Sequence, residues 1–223
     1  MMTEQAIHKT ESPGQASHYL VNYDAARRAF SWDSARRKFS EPEHLNIARE
    51  AVDRQVEHGG AAQLAARFLD RDRQHIDVTY GELQKRCNRF ANVLRSLELE
   101  PGMCVASLLG RVPELFTVGL GTLKAGNLYC SLFTAFGPEP LNPRLQLGHV
   151  RLLVTSETLY RRKVAALRAA LPELRHVLIV GEDRKATLPE GTRDFAELMQ
   201  LADEICVTAP TRNDDVALLH FTS

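Results

Sequence analysis

From about residue 60 onward, short apolar runs alternate with amphipathic stretches of helical period, and no other feature of this sequence constrains its fold as strongly. The apolar runs occupy residues 64–69, 103–109, 128–132, 150–155, 176–180 and 216–221. Strands of this length that are joined by helical crossovers pair in parallel, with right-handed connections. The alternation therefore predicts an α/β fold with a mainly parallel sheet and helices on both faces.

Capping residues indicate where the predicted helices begin and end. Thr79 and Glu82 have the spacing of a capping box, which predicts a helix that starts beside them. Pro113 suits the first turn of a second helix, which runs to Lys124 and stops at Gly126. The order that follows from these signals is strand, helix, strand, helix, strand.

Three prolines crowd the segment after the third strand of that order. Because proline inside a helix removes a hydrogen bond, any helix in this segment is expected to be short and to begin near Pro143. The remaining helical patterns cover residues 159–171 and 195–201. The last apolar run, 216–221, is expected to form a final buried strand.

The sequence divides into three parts. Residues 1–18 are polar and aperiodic and are expected to form a flexible arm, and residues 19–60 are expected to form a helical segment that packs on the domain. Within that segment Asn46 is a suitable N-cap, and the glycine pair at 59–60 ends the helix. Residues 61–223 are expected to form an incomplete α/β domain.

The balance of charge limits the partners of the chain. It carries 28 basic and 28 acidic residues, so no field of the whole molecule attracts nucleic acid or anionic lipid. No stretch approaches the ~20 apolar residues that span a bilayer, and the polar start lacks the apolar core of a secretory signal. We therefore expect a soluble cytoplasmic protein that binds neither nucleic acid nor membrane.

Cysteine and histidine usage indicates neither a disulfide framework nor a zinc site. The cysteines form no CxxC pair, and the eight histidines show no paired ligand spacing. The four cysteines lie far apart in apolar stretches and are expected to be reduced core residues: Cys87, Cys104, Cys130 and Cys206. No metal ligand is therefore assigned.

The usual motifs of nucleotide and hydrolase sites are incomplete. Gly119 and Gly121, with Gly126, match part of GxGxxG, but Gly119 and Gly121 lie within a predicted helix, so close helix packing is the better interpretation. The sequence has no GxSxG nucleophile elbow. Asp214 and Asp215 stand directly before a predicted strand, where carboxylates are expected to solvate a turn.

The end of the chain carries the most informative pattern. Residues 214–223 resemble the strand that leads into the Thr/Ser/Gly-rich phosphate loop of the AMP-forming adenylating enzymes. Within that family the sequence is most similar to the branch of acetyl-CoA synthetases and their short-chain acyl-CoA relatives, over about residues 19 to 223. Motifs of this branch follow in the same order along the chain: Tyr23 with Phe30-Ser31-Trp32, residues 45–54, residues 79–83 with Asn88-Arg89, residues 111–115, Lys124-Ala125-Gly126, residues 132–136, and Arg144-Leu145.

The resemblance implies a two-step ligase reaction. A carboxylate attacks the α-phosphate of ATP to give an acyl adenylate and pyrophosphate, and the thiol of CoA then displaces AMP. In such enzymes a phosphate loop, Mg²⁺ and a lysine stabilise the triphosphate and the leaving pyrophosphate. The implied fold is the amino-terminal part of the large domain of an adenylate-forming enzyme, and the substrate is expected to be a short carboxylic acid, acetate above all.

The resemblance also assigns two groups of binding residues. Thr222 and Ser223 match the first residues of the phosphate loop and are expected to contact ATP phosphate or its metal. Arg161, Arg162 and Lys163 match a basic cluster that helps to hold the 3′-phosphate of CoA in acetyl-CoA synthetases. No catalytic residue and no metal ligand of the protein is assigned.

Several parts of the family's machinery are absent from residues 1–223: the rest of the phosphate loop, the acyl pocket and the carboxyl-terminal domain. Phe133, Phe136 and Arg144 match a family pattern that is expected to serve packing and positioning. An incomplete site cannot hold its reactants in a productive geometry. Residues 1–223 alone are therefore expected to be inactive, with the remainder of their own domain missing.

Two other interpretations remain open. In one, the enzyme activates a medium-chain or aromatic acid, because the acyl pocket lies mostly outside these residues. In the other, the chain is a truncated, non-enzymatic protein that binds a partner through the arginine-bearing segment 19–40. Acidic residues lie among those arginines, so a solvated helix face competes with a basic patch.

Overall fold

The computed structural model describes residues 22–37, 39, 44–70, 72–181 and 188–221. Contacts divide the chain into two units, Met1–Pro42 and Glu43–Ser223. The arm expected at residues 1–18 lies outside the described residues. The expected division of the chain at residues 18 and 60 stays a prediction.

The first unit contains two short helices, α1 (Tyr23–Ala29) and α2 (Trp32–Arg36). Each helix begins at a side-chain cap, since Asn22 and Ser31 each accept a hydrogen bond from the backbone N–H three residues further on. Neither helix has a buried residue. The arginines of α1 and α2 are exposed, as both a solvated helix face and a basic patch require.

The second unit begins with a helical stretch that contains two π-type segments, Arg49–Asp53 and Val56–Gly60. Asn46 caps this stretch as predicted, because its Oδ1 accepts from the Ala48 N–H at 3.1 Å. Gly59 adopts a φ of +83°, a left-handed conformation that ends the helix. The predicted start and end of this helix are confirmed.

An antiparallel hairpin follows, formed by β1 (Leu64–Leu69) and β2 (His75–Thr79). The sequence predicted β1 but missed β2. The connection between them is too short for a helical crossover, so β1 forms its own small sheet instead of joining the parallel one. Across the hairpin, Arg67 Nε donates to Asp77 Oδ1 at 2.6 Å.

The core of the second unit is a five-stranded parallel sheet. Its strands are β3 (Cys104–Leu108), β4 (Leu128–Ser131), β5 (Val150–Ser156), β6 (His176–Val180) and β7 (Arg193–Asp194). They lie in the order β4-β3-β5-β6-β7, and every neighbouring pair is parallel. The predicted α/β class with a mainly parallel sheet is confirmed.

Helices cover both faces of this sheet. They are α3 (Tyr80–Ser96), α4 (Pro113–Lys124), α5 (Pro138–Leu147), α6 (Glu157–Leu159) and α7 (Phe195–Leu201). Successive strand residues point to opposite faces, so Val105 packs with α3, α4 and α7 while Ala106 packs with α5 and α6. Among the described residues, no helix combines the length and the apolarity needed to cross a membrane.

The predicted start of α3 and both predicted ends of α4 are observed. Thr79 Oγ1 accepts from the Glu82 N–H at 3.2 Å, and the Glu82 carboxylate accepts from the Thr79 N–H at 2.9 Å, which completes the capping box. These bonds hold the pKa of Glu82 below its ordinary value. Pro113 lies in the first turn of α4, and Gly126 adopts a φ of +78° just after its end.

The start of α5 differs from the prediction of a helix beginning near Pro143. The helix begins at Pro138, and Pro140 also lies in its first turn, where a missing N–H removes no intrahelical bond. Pro143 lies inside the helix and deprives only the Glu139 carbonyl of its usual donor. The prolines therefore fit because two of the three occupy positions that need no N–H.

The helix predicted at 159–171 is present but irregular. From α6 it continues as a π-type segment, Tyr160–Val164, and then as a 3-10 segment, Ala165–Ala170. Tyr160 and Val164 are buried against the sheet. The basic residues between them therefore lie on the outer side of a distorted helix.

The final strand predicted at 216–221 is wrong. The segment makes a single parallel bridge, between Leu218 and Tyr129 of β4. Val216 and Leu218 are 71% and 57% exposed, so the segment is not buried. The apolar composition suggested a buried strand, but within the described residues only β4 pairs with this segment, so much of it stays exposed.

The cysteines agree with the prediction in three of four positions. All four are free thiols, and Cys87, Cys104 and Cys130 are buried in the core. Cys206 is half-buried, in an extended segment that lies against α3. It packs against the core but is not enclosed by it, so the expectation of a core residue is met only in part.

Candidate functional site

The candidate site lies at the carboxyl edge of the parallel sheet, beside β4. Tyr129 donates its N–H to the Ala217 carbonyl at 2.9 Å, and its own carbonyl accepts from the Leu219 N–H at 2.9 Å. These bonds align the segment 216–221 in parallel with β4. Phe221 therefore lies toward the same edge as the β4–α5 loop, residues 132–137.

A stacked arginine joins these two segments. The guanidinium carbon of Arg144, on α5, lies 4.4 Å from the ring centroid of Phe136 and 5.8 Å from that of Phe221. Arg144 Nη1 donates to the Pro140 carbonyl at 2.8 Å. Phe136 and Phe221 also pack against the same apolar core. The two packed rings therefore define the position of the Arg144 guanidinium.

Lys163 holds the backbone of the β4–α5 loop. Its ammonium donates to the Thr134 carbonyl at 2.5 Å and to the Phe136 carbonyl at 2.7 Å. Charge-assisted bonds of this kind are stronger than bonds between neutral groups. Lys163 therefore fixes the loop that follows β4, and its charged group is already bonded to backbone carbonyls.

The other two members of the predicted basic cluster are at the surface. Arg161 Nε donates to Glu157 Oε1 at 2.7 Å, one helical turn away. Arg162 is exposed and has no polar partner in the described part of the chain. The three neighbouring residues thus differ in function: one is paired, one is free and one binds the backbone.

An exposed ring stands beside this cluster. Phe133 is 65% exposed, and its ring meets that of Phe136 edge to face at 5.8 Å. Both rings were expected to pack, but only Phe136 packs against the core. An exposed aromatic ring at the end of a parallel strand offers a flat apolar surface to a ligand.

Helix geometry adds positive potential to the same edge. Helices α4, α5 and α6 follow β3, β4 and β5 in the chain, so their amino-terminal ends lie toward the same edge. The N–H groups of a helix start are unpaired and carry the positive end of the helix dipole. The edge therefore favours an anionic ligand, as phosphate-binding edges of parallel sheets do.

A tyrosine hydroxyl lies between β3 and β4 on the face of the sheet that α3 and α4 cover, opposite to α5. The Tyr129 hydroxyl and Ser107 Oγ are 2.7 Å apart, and Ser107 is fully buried. Burial raises the pKa of Tyr129 above its ordinary value, so the phenol stays protonated at neutral pH. The pair is suited to holding the two strands together and not to proton abstraction.

Small residues on α4 allow this packing. A Cβ on Gly119 would lie 3.1 Å from the Tyr129 ring, and a Cβ on Gly121 would lie 2.9 Å from the side chain of Phe90. The interpretation of these glycines as helix packing, and not as a phosphate loop, is confirmed.

A cavity of about 810 Å³ lies at the opposite, amino-terminal edge of the sheet, lined in part by Gly102, Asn127 and Val216. Asp215 borders it and closes a turn, because its carboxylate accepts from the Arg212 N–H at 2.8 Å. The predicted turn is therefore observed. The described residues include no group of three or more His, Cys, Asp or Glu side chains placed to hold a metal.

The predicted site residues have three outcomes. Thr222 and Ser223 lie outside the described residues, directly after Phe221. Arg161, Arg162 and Lys163 lie beside the β4–α5 loop, which Lys163 contacts. The stacking of Arg144 on Phe221 was missed, and its only sequence signal was an arginine that follows a pair of phenylalanines.

Comparisons with known proteins identify relatives of this chain. Residues 52–223 match the family described as AMP-binding enzyme. The acetyl-coenzyme A synthetase of Bacillus subtilis (strain 168) is 32% identical over 219 residues, which cover 94% of this chain and 36% of that protein. The acetyl-coenzyme A synthetase of Streptomyces coelicolor is 29% identical over 158 residues, or 67% of this chain and 24% of that protein.

A solved structure is similar over the same extent. The crystal structure of an acyl-CoA synthetase from Brucella canis matches with a TM-score of 0.79 and 28% identity, over 92% of this chain and 36% of that one. The chain therefore spans little more than a third of the length of this structure and of the Bacillus protein.

Proposed function

Because the chain belongs to the AMP-binding enzyme family, as its resemblance predicted, we propose that it works as part of an AMP-forming acid:CoA ligase. In the first step a carboxylate oxygen bonds to the α-phosphorus of ATP, and pyrophosphate leaves. In the second step the sulfur of CoA bonds to the acyl carbon, and AMP leaves with the bridging oxygen. The family match over residues 52–223 carries this proposal.

In this proposal the carboxyl edge beside β4 receives ATP as its Mg²⁺ complex. Thr222 and Ser223 begin the phosphate loop and contact the phosphates or the ion that accompanies them. The support is the course of the preceding segment, which bonds to Tyr129 and reaches this edge at Phe221. The amino-terminal ends of α4 and α5 point toward this edge and add positive potential for the triphosphate.

The basic cluster serves CoA binding in this proposal. Arg162 offers the 3′-phosphate of CoA a fork of N–H donors that no described residue occupies. Lys163 acts indirectly, by fixing the loop that carries the exposed ring of Phe133. That ring gives the adenine of CoA a surface on which to stack.

We assign a short carboxylic acid, acetate, as the substrate. The support is the similarity to two bacterial acetyl-coenzyme A synthetases, one of them matched over 94% of this chain. We place the enzyme in the cytoplasm, where ATP and CoA are supplied and thiols such as its free cysteines stay reduced.

The test is acid-dependent exchange of pyrophosphate into ATP by the protein encoded by the complete gene. We expect exchange with acetate, weaker exchange with butyrate and none with benzoate, followed by thioester formation when CoA is added. Exchange only with octanoate or benzoate would keep the ligase and overturn acetate. The absence of exchange with every acid would overturn the ligase, and residues 1–223 expressed alone are expected to show none.

A further inference from the structure

Arg144 connects two segments that are distant in the sequence. Its guanidinium carbon lies within 6 Å of two ring centroids, at 4.4 Å from Phe136 and 5.8 Å from Phe221. Both distances are in the range of a cation–π interaction. One ring belongs to the β4–α5 loop, and the other ends the described part of the segment that runs beside β4.

The segment 216–221 has few other anchors. Its backbone bonds to β4 only around Tyr129, and much of it is exposed. Leu219 packs near Gly148, where an added Cβ would lie 3.1 Å from Leu219 Cδ2. The contact of the Phe221 ring with Arg144 is therefore a further anchor at the described end of this segment.

One hydrogen-bond donor of Arg144 has no partner among the described residues. Its Nη1 donates to the Pro140 carbonyl at 2.8 Å, but its Nε is buried and has no hydrogen-bond partner in the described residues. A buried donor without a partner is costly. The guanidinium of Arg144 therefore carries an unsatisfied buried donor beside the two rings.

We propose that Arg144 is a positioning residue for ATP: by contacting the rings of both Phe136 and Phe221, it anchors the segment that leads into the phosphate loop. It acts through Phe221 and does not touch the nucleotide. This inference rests on the proposed function, because it takes residues 222–223 as the start of a phosphate loop.

The test uses the protein encoded by the complete gene and compares R144M, R144K and F221L with the double variant R144M/F221L. Loss of a partly desolvated cation–π contact corresponds to an increase of about fivefold to thirtyfold in the KM for ATP. We expect this increase in R144M and F221L, and a KM for the carboxylic acid that stays within about twofold. R144K keeps the charge but not the planar group, so it is expected to fall between R144M and the unchanged protein.

Additivity decides the outcome. If Arg144 acts through Phe221, the double variant raises the KM for ATP no further than R144M does, and the urea unfolding free energies of the pair are likewise non-additive. The control is R151M, which removes an arginine that pairs with Glu173 at the other end of β5 and leaves the KM for ATP unchanged.

Two results would overturn the inference. One is a lower melting temperature and a smaller active fraction with an unchanged KM for ATP, which is the signature of packing alone. The other is strict additivity of R144M and F221L in both measurements. If the unaltered protein shows no exchange with any acid, the proposed function fails, and the unfolding cycle still decides whether Arg144 holds Phe221.

Discussion

Lys124 of α4 and Asp53 form a buried ion pair. The ammonium lies 2.7 Å and 2.6 Å from the two carboxylate oxygens, and the side chains are only 3% and 9% exposed. Gln84 Nε2 also donates to Asp53, at 3.0 Å. The pair ties the helical stretch before the hairpin to the last turn of α4, directly before the strand that borders the candidate site.

Removal of one partner of this pair is expected to be strongly destabilising. K124M leaves the Asp53 carboxylate buried without its cation, which costs about 3 to 5 kcal/mol of unfolding free energy. The double variant K124M/D53N is expected to lose less than the sum of the single variants, because no charge is left uncompensated. Urea unfolding of the four proteins measures this coupling.

The matched control is the exposed pair of Arg67 and Asp77, whose side chains are 49% and 39% exposed. R67Q is expected to change the unfolding free energy by no more than about 1 kcal/mol, because solvent screens a surface pair. A similar loss in R67Q and K124M would mean that burial does not set the strength of the Lys124 pair.

The ends of α4 could be predicted accurately because local signals mark them. Pro113 and Gly126 bracket α4, because each acts through its own backbone conformation. The strand β2 was missed because it pairs only with β1 and is largely exposed, so no run of apolar residues marks it. An apolar run does not show how many strands will pair with it, because that depends on the rest of the fold. For this reason residues 216–221 were wrongly predicted to form a buried strand.

The candidate site was only partly predictable for the same reason. The basic residues at 161–163 were found, since the resemblance marks them directly. Their division of roles depends on which carbonyls and carboxylates the fold brings near each of them. The lysine in the apolar pattern of α4 was a visible signal of a buried charge, but its partner, Asp53, could be identified only from packing.

The extended segment after α7 lies against a row of polar side chains on α3. Lys85, Arg89 and Glu204 meet at its centre, with Glu204 3.1 Å from the Lys85 ammonium and 2.8 Å from the Arg89 guanidinium. The hydrogen bond with Lys85, followed by the charges of Lys85 and Arg89, holds the pKa of Glu204 below its ordinary value. The charge of Glu204 therefore stabilises the folded state.

This shift predicts a pH dependence with a definite sign. Because the folded pKa is depressed, the contribution of Glu204 is complete above its unfolded value, about 4.3, and disappears as the pH falls through the folded value. E204Q should therefore unfold at a lower urea concentration than the unaltered protein at pH 7, and the two midpoints should converge at acid pH. The control is E190Q, at an exposed position. Midpoints separated equally at pH 7 and pH 3 would contradict the prediction.

The cysteines are expected to differ sharply in reactivity. Burial raises the pKa of the Cys87 thiol to about 12, and a hydrogen bond donated by the Cys104 thiol to Cys130, together with burial, raises the pKa of Cys104. At pH 8 these thiols are protonated as well as inaccessible, whereas Cys206 is half-exposed. Titration with Ellman's reagent should detect one fast thiol in the folded protein and four in urea. Fast reaction of any thiol in C206S would contradict the buried positions of the other three.

The free guanidinium of Arg162 allows a selective test of CoA recognition. If it binds the 3′-phosphate, R162A loses a charge-assisted contact and the KM for CoA rises by about tenfold to a hundredfold. Dephospho-CoA lacks that phosphate, so its KM should be the same in R162A and in the unaltered protein. Thioester formation by the protein encoded by the complete gene supplies both measurements.

The matched control for this test is R175A, because Arg175 is an exposed arginine directly before β6, at the opposite edge of the sheet. It is expected to leave the KM values for CoA and dephospho-CoA unchanged. An equal rise for both substrates in R162A would show that the arginine contributes general positive potential instead of a phosphate contact. No rise for either would remove Arg162 from the CoA site and leave the 3′-phosphate to other residues.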